Sequence, residues 1–201
     1  MEIIQRLNIT NGNLKTIIMK NLLTIILMLF VQSIAFSQDL PQLEGKIIFE
    51  KIFEKEGMSK DRLFILSKQF FVDSFKNSNY VIKSEDKEAG QIIGKGFADM
   101  SYFRGNSILG TVYPMYFTIQ TDVKEGKARI RIYDAYYDNP KAHRKATLEQ
   151  ENDKKRKGID KSDSKKEKYE DWCKFMNSQF NAIIELYEKK INDKTNSNDN
   201  W

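Results

Sequence analysis

Aromatic, amide and guanidinium side chains recur at alternate positions along two runs between residues 111 and 137. Successive side chains of a β-strand point to opposite faces, so residues two apart share a face. Aromatic rings and arginine are enriched in recognition surfaces. One predicted sheet face is therefore a candidate binding surface, and the alternative is an ordinary hydrated face. The candidate binding residues are Tyr116, Thr118, Gln120, Arg129, Arg131 and Tyr133.

Residues suited to nucleophilic or metal-assisted catalysis are sparse. His143 is the only histidine and lies beside a charged segment, so a Ser-His-Asp or Cys-His arrangement on a rigid scaffold is not expected. One histidine and one cysteine, at no recognisable spacing, do not predict a metal site. We assign no catalytic, cofactor-binding or metal-binding residue and expect no cofactor.

A pair of carboxylates is the remaining route to catalysis. Two acidic side chains about 5 to 10 Å apart in one cleft would favour a glycosidase-like hydrolase. Acidic residues are common on the exteriors of strands, so their presence alone does not predict an enzyme. We expect a non-enzymatic binding or structural module of the cell envelope, and the alternative is a hydrolase of an envelope or extracellular substrate. The carboxylates concerned are Glu50, Glu85, Asp99 and Asp134.

The candidate binding residues lie on a predicted β-hairpin. Apolar side chains alternate with them along both runs, and residues 124–127 supply the turn. Gly126 is free to take the positive φ that a hairpin loop of three or four residues usually requires. The side chains predicted to enter the core are Met115, Phe117, Ile119, Ile130 and Ile132.

A strand and a helix are predicted ahead of the hairpin. Residues 46–55 are β-branched and aromatic at the density of a strand. Ser59 is placed as the N-cap of an amphipathic helix from about Lys60 to Phe75. The strand has two alternative registers, because its core side chains are either Ile48 and Ile52 or Ile47, Phe49 and Phe53.

Two further strands are predicted at residues 80–85 and 91–100, joined by a turn at 86–90. Gly94-Lys95-Gly96 lies in the second of them and is not followed by a helix, so a phosphate-binding loop is not predicted. Glycines inside a strand indicate a bulge or a closely approaching helix. Pro114 predicts an edge position or a bulge near the start of the hairpin's first strand.

The composition changes after residue 140. Residues 141–168 are rich in Lys, Asp and Glu, so we predict a charged linker, either a mobile loop or a frayed helix. A site for an anionic partner is the alternative. Residues 169–191 predict a long amphipathic helix that buries Cys173. The alternative is that the Cys173 thiol pairs with another chain. Residues 192–201 predict a disordered tail.

The N-terminal region predicts export. Lys20 precedes an apolar run at residues 22–31, and the small residues Ala35 and Ser37 follow it. This pattern is typical of a secretory signal peptide at residues 19–37 with cleavage after Ser37. Residues 1–18 are then an upstream extension or a mis-assigned start, and residues 38–45 are a polar leader. Because a membrane helix needs about 20 apolar residues, we expect a secreted or periplasmic chain with no stable membrane anchor after cleavage.

The predicted order is strand, helix, four antiparallel strands and helix. Both helices would pack on the apolar face of a five-stranded, mostly antiparallel sheet, which makes residues 46–140 a two-layer α+β domain completed by the helix at 169–191.

Several short motifs carry a resemblance to a known family. They are Phe36-Ser37-Gln38, Ser59-Lys60-Asp61, Phe70-Phe71, the segment 75–79, Ile93-Gly94-Lys95-Gly96, Tyr116-Phe117-Thr118-Ile119 and the turn at 124–127 leading into residues 128–134.

Over residues 45–137 the chain resembles the family of domains of unknown function numbered 4468, described as having a TATA-binding-protein-like (TBP-like) fold. The resemblance implies an exported protein of Bacteroidetes-type bacteria with no established activity, and it supplies no catalytic residues. We expect the partner to be an unknown envelope protein or a small ligand. Predicted export and the small net charge of +5 argue against nucleic acid as the partner.

Overall fold

The computed structural model describes residues 39–74, 81–99, 114–139 and 144–193. Within these ranges strands precede and follow a first helix, and a longer helix closes the domain. The elements are β1 (Gln42–Leu43), β2 (Lys46–Ile47), β3 (Phe49–Glu54), α1 (Lys60–Ser74), β4 (Val81–Asp86), β5 (Gln91–Asp99), β6 (Pro114–Lys124), β7 (Lys127–Asn139), β8 (Arg144–Thr147), α2 (Leu148–Arg156), a 3-10 turn (Ile159–Lys161) and α3 (Asp163–Ile191).

The main sheet is antiparallel and has six strands among the described residues, one more than predicted. Its order is β4, β5, β6, β7, and both β3 and β8 pair with the outer edge of β7. Strand β3 pairs with residues 127–132 of β7, and β8 pairs with residues 136–139. The long strand β7 therefore supports two short strands placed end to end, and β1 and β2 form a separate two-stranded ribbon.

The predicted hairpin forms the centre of this sheet. Strands β6 and β7 are joined by Glu125 and Gly126, a shorter loop than expected, and Gly126 has φ 67°. Pro114 is the first residue of β6, a position where a missing N–H is tolerated. All five side chains predicted to enter the core are at most 2% exposed: Met115, Phe117, Ile119, Ile130 and Ile132.

The first predicted strand has the register in which Ile47, Phe49 and Phe53 face the core. Ile47, Phe49 and Phe53 are buried, whereas Ile52 is exposed on the opposite face. Lys51 lies among the core-facing positions at the sheet edge, where its Nζ donates a 2.8 Å hydrogen bond to Glu188 of α3. The edge position allows the lysine to reach solvent at the margin of the core.

Helices α1 and α3 pack on the same face of the sheet, as predicted for a two-layer α+β domain. Phe180 of α3 stacks on Phe49 of β3 with ring centroids 4.3 Å apart. Leu63 and Phe70 of α1 lie in the same apolar core. Cys173 is fully buried in α3, and burial raises the pKa of its thiol.

The described part of the charged segment, residues 144–168, is more ordered than the predicted linker. Residues 144–147 form β8, residues 148–156 form α2, and α3 begins at Asp163 rather than at 169. Leu148 is fully buried, and Thr147 forms a reciprocal capping box with Gln150. Glu149 accepts a 2.9 Å hydrogen bond from the backbone of Ile47. Strand pairing, a cap and a few apolar side chains such as Leu148 therefore order a segment whose composition is mostly polar.

Several predictions fall outside the described residues. They concern the signal peptide at 19–37, His143 and the tail from residue 194. Within the ranges that the structure describes, no helix is long and apolar enough to cross a membrane.

Candidate functional site

The six predicted binding residues share the sheet face opposite the helices. Thr118 faces Tyr133 across the β6–β7 pair, and Gln120 faces Arg131. This face is less open than predicted, because Thr118 and Gln120 are only 3% and 6% exposed. The face divides into two areas with different chemistry.

The first area is a polar cluster centred on Asp122. Arg129 donates to Asp122 Oδ2 from Nε at 3.2 Å and from a terminal nitrogen at 3.1 Å, and Arg131 adds a contact at 3.5 Å. Asp122 Oδ1 accepts hydrogen bonds from Gln91 at 2.9 Å and Gln120 at 2.8 Å. We call this set of side chains, together with Tyr133 and Glu50, the Asp122 cluster.

The side chains of the Asp122 cluster contact mainly one another. Burial on its own raises the pKa of Asp122, but hydrogen bonds from Gln91 and Gln120 and the charge of Arg129 outweigh it, so the net pKa lies below the usual value. Tyr133 donates to Gln120 Oε1 at 3.2 Å. Glu50 lies 3.7 Å from Arg129 and 3.9 Å from Arg131. Four predicted binding residues, Gln120, Arg129, Arg131 and Tyr133, are thus engaged in internal contacts.

The second area begins at a bulge in β7. Two residues, Asp134 and Ala135, lie opposite one residue of β6, and Asp134 has φ 50°. The extra residue shifts the alternation, so Ala135 and Tyr137 face the helices while Tyr136 returns to the open face with Tyr133. Asp is among the residues that tolerate this left-handed conformation best.

The bulge creates a row of rings across three strands. Tyr136 stacks on Tyr116 with centroids 5.2 Å apart and an interplanar angle of 15°. Phe97 of β5 lies on the other side of Tyr116 at 5.7 Å, and Lys145 of β8 lies 5.7 Å from the Tyr136 ring. Because the ring faces contact one another, the row offers a bound molecule mainly its edges and phenol hydroxyls.

A pocket of about 130 Å³ lies beside this row of rings. Thr118 of β6, Gly96 and Lys95 of β5 and Lys83 of β4 line it. Asp134 closes the side nearest β7 and forms a 3.8 Å ion pair with Lys46. We call it the lysine pocket, and its lining residues are Lys83, Lys95, Gly96, Tyr116, Phe117, Thr118, Asp134 and Tyr136.

A second irregularity brings the two lysines together. The pairing of β4 with β5 shifts register between Ile82 and Ser84, which leaves Lys83 as the extra residue opposite the Gly94 region. Lys95 pairs with Val81 in the neighbouring row. Neither lysine has a carboxylate partner among the described residues, unlike Lys51 and Lys127, which pair with Glu188 and Glu54.

Thr118 adds an unused hydrogen-bonding group to this pocket. Its Oγ1 is buried and has no hydrogen-bond partner in the part of the chain that the structure describes. A buried hydroxyl without a partner costs about 1–3 kcal/mol. Thr121 Oγ1 is the comparable case on the helix side of the sheet, away from the pocket.

The predicted carboxylates do not form one cleft. Glu50 lies on the open face beside Arg129 and Arg131, whereas Glu85 pairs with Lys68 of α1 on the other face. Asp134 pairs with Lys46, and the side chain of Asp99 lies outside the described residues. Among described residues no group of three His, Cys, Asp or Glu side chains is placed to hold a metal ion.

The match to a protein family covers the part of the chain that contains strands β3 to β7. Residues 49–138, which run from β3 almost to the end of β7, match the family model described as a domain of unknown function (DUF4468) with TBP-like fold. Over these residues the chain is similar to the DUF4468 family. The resemblance predicted from the sequence motifs is confirmed, and the antiparallel sheet with helices on one face agrees with the fold in that description.

Two solved structures are similar to this chain. One is a DUF4468 family protein from Bacteroides ovatus ATCC 8483, with a TM-score of 0.62, 17% identity and coverage of 79% of this chain and 92% of that chain. The other is a TBP-like protein from Parabacteroides distasonis ATCC 8503, with a TM-score of 0.52, 15% identity and coverage of 74% and 96%. No curated protein matches the chain. At these identities the likeness extends to the fold alone.

The sequence prediction identified two pocket residues, Tyr116 and Thr118, and missed Lys83, Lys95 and Tyr136. The two bulges explain the omission of Lys83 and Tyr136, because each changes the phase of the alternation in its own strand. The available signal for a bulge in β7 was the sequence around Asp134. Asp134 and Ala135 lie between Tyr133 and the pair Tyr136 and Tyr137.

Proposed function

We propose that the chain is an exported, non-enzymatic binding module of the cell envelope that recognises its ligand on the open face of the sheet. The observation that supports this is the lysine pocket, which lies on the face opposite α1 and α3. Scaffolds commonly use one face of a sheet for the core and present functional groups on the other. The predicted signal peptide supports the location.

The pocket is better suited to binding than to catalysis. It contains one carboxylate, Asp134, which is paired with Lys46. Acid–base hydrolysis of a glycosidic bond uses two carboxyl groups that flank the bond. Glu50, the other acidic side chain on this face, belongs to the Asp122 cluster and is held by Arg129 and Arg131. The hydrolase alternative therefore has no support from the placement of Glu50 and Asp134.

Protein-observed NMR tests this proposal. Uniformly ¹⁵N-labelled protein, residues 38–201, would be titrated with fractionated soluble extracts of bacterial cell envelopes. We expect one or more fractions to shift the amide signals of residues 94–97 and 116–118 while the signals of α1 remain unchanged. Shifts confined to α1 and α3, or no shift at β5 and β6 with any fraction, would contradict binding at the open face.

A further inference from the structure

The lysine pocket has a chemical polarity that runs across the sheet. Lys83 and Lys95 lie on its β4–β5 side, and Asp134 lies on its β7 side. Thr118 lies between them on β6. A ligand that fills the pocket would therefore meet cationic groups on one side and a carboxylate on the other.

The cationic end lacks a neutralising group of its own. Lys83 and Lys95 line the same pocket, and neither is paired with a carboxylate among the described residues. A bound anion would be attracted by both ammonium groups. Ammonium groups bind anionic oxygens through charge-assisted hydrogen bonds, which are stronger than those between neutral groups.

The other groups of the pocket constrain the rest of the ligand. Asp134 repels a second anionic group but accepts hydrogen bonds from hydroxyls. Thr118 has a hydroxyl that the described part of the protein leaves without a partner. Tyr116 and Tyr136 contribute phenol hydroxyls beside their stacked rings. A polar, hydroxylated body therefore fits better than an apolar one, and a volume of about 130 Å³ restricts it to a compact group.

We propose that the lysine pocket binds a compact hydroxylated molecule that carries one anionic oxygen group. This inference rests on the proposed function. The anionic group would lie between Lys83 and Lys95, and the hydroxyls would point toward Thr118 and Asp134. A carboxylate and a phosphate ester both present this chemistry. The Asp122 cluster is not part of the site, because Arg129 and Arg131 already contact Asp122.

The test uses D-glucuronate and D-glucose 6-phosphate as probes and D-glucose as the neutral comparison. Each would be titrated into ¹⁵N-labelled protein, residues 38–201, and the Kd taken from the amide shifts of residues 94–97 and 116–118. We expect at least one anionic probe to bind and glucose to bind about tenfold more weakly or not at all. The preferred anionic probe distinguishes a carboxylate from a phosphate ligand.

Matched variants identify the groups responsible. The double variant K83M/K95M and the variant T118V should each weaken the anionic probe about tenfold or more. K124M/K161M removes two exposed lysines outside the pocket, and T121V removes the buried hydroxyl on the helix side. Both control variants should bind like the unchanged protein. Thermal unfolding of all four variants checks that they remain folded.

Three results would overturn this inference. Equal affinity for glucose and the anionic probes, or unchanged affinity in K83M/K95M, would show that the lysines do not select an anion, while binding at the open face would stand. Absence of shifts with all three probes would also overturn it. The titration with envelope fractions would then decide the proposed function separately, because it does not depend on the choice of probe.

Discussion

Tyr187 of α3 and Ser67 of α1 are joined by a buried 2.8 Å hydrogen bond between their hydroxyls. Ser67 Oγ donates its single proton to the carbonyl of Leu63 at 2.8 Å, so Tyr187 is the donor to Ser67. Phe70 packs edge-on against the Tyr187 ring, with centroids 5.2 Å apart. The contact holds the two main helices together on the covered side of the sheet, which leaves the opposite face available.

Replacing Tyr187 with phenylalanine should lower the free energy of unfolding by about 1 kcal/mol, because the ring stays and only the hydrogen bond is lost. Chemical unfolding of Y187F, S67A and the double variant would measure the coupling between the two hydroxyls. Burial raises the pKa of Tyr187 above its usual value of 10. Its contribution should therefore be complete below pH 10 and be lost at higher pH, and Y187F should lack this alkaline loss. Additive effects of the single substitutions would contradict the contact.

Replacing Asp122 with asparagine should cost about 1–3 kcal/mol at neutral pH, because Arg129 and Arg131 would lose their common anionic partner. The folded-state pKa of Asp122 is below 3.8, so its contribution is present above that pH and is lost as the pH falls through the lowered value. The unfolding free energy of D122N should therefore depend less on pH in acid than that of the unchanged protein. The matched control is D61N, which removes an exposed partner of Lys87 and should cost less than about 1 kcal/mol. Equal losses in the two variants would contradict the Asp122 cluster.

Replacing Thr147 with alanine should destabilise α2 by about 1 kcal/mol, because the capping box with Gln150 would be lost. Hydrogen exchange followed by mass spectrometry should show faster exchange in residues 148–156. S178A removes an exposed hydroxyl within α3 and should leave that segment unchanged. If residues 148–156 exchange without protection in the unchanged protein, the segment is the linker expected from its composition rather than a helix.

The mature chain should begin at Gln38. Mass spectrometry of the protein recovered from the envelope or culture medium of its native host should find an N-terminal peptide starting there, because Ala35 and Ser37 fit the signal peptidase pattern. Replacing Ile25 with arginine in the apolar run should prevent export. Peptides from residues 19–37 attached to the exported protein would contradict cleavage after Ser37.

Alternation of apolar and polar residues predicted the elements that build the sheet. Met115, Phe117 and Ile119 are core residues of β6, and the α+β class with both main helices on one face is confirmed. Period-two and period-3.6 patterns are reliable where a long element has one buried face. The charged segment was misjudged, because its order depends on the cap at Thr147 and on a few apolar side chains such as Leu148.

The candidate site could be predicted only in part. Thr118 and Gln120 looked exposed from their polarity, yet both side chains are buried. The bulges at Lys83 and Asp134 depend on pairing between strands, which the periodicity of one strand does not contain. Two lysines from separate strands, together with Tyr136, therefore entered the site only when the sheet was assembled.

Lysine footprinting provides the most direct test of binding at the open face. Protein incubated with and without envelope extract would be acetylated briefly, and the labelling of each lysine would be measured by mass spectrometry. Recognition on the open face predicts that Lys83 and Lys95 are protected by the extract, while Lys124 and Lys161 react equally in both samples. Unchanged labelling of Lys83 and Lys95, or protection confined to lysines of α1 and α3, would contradict the account.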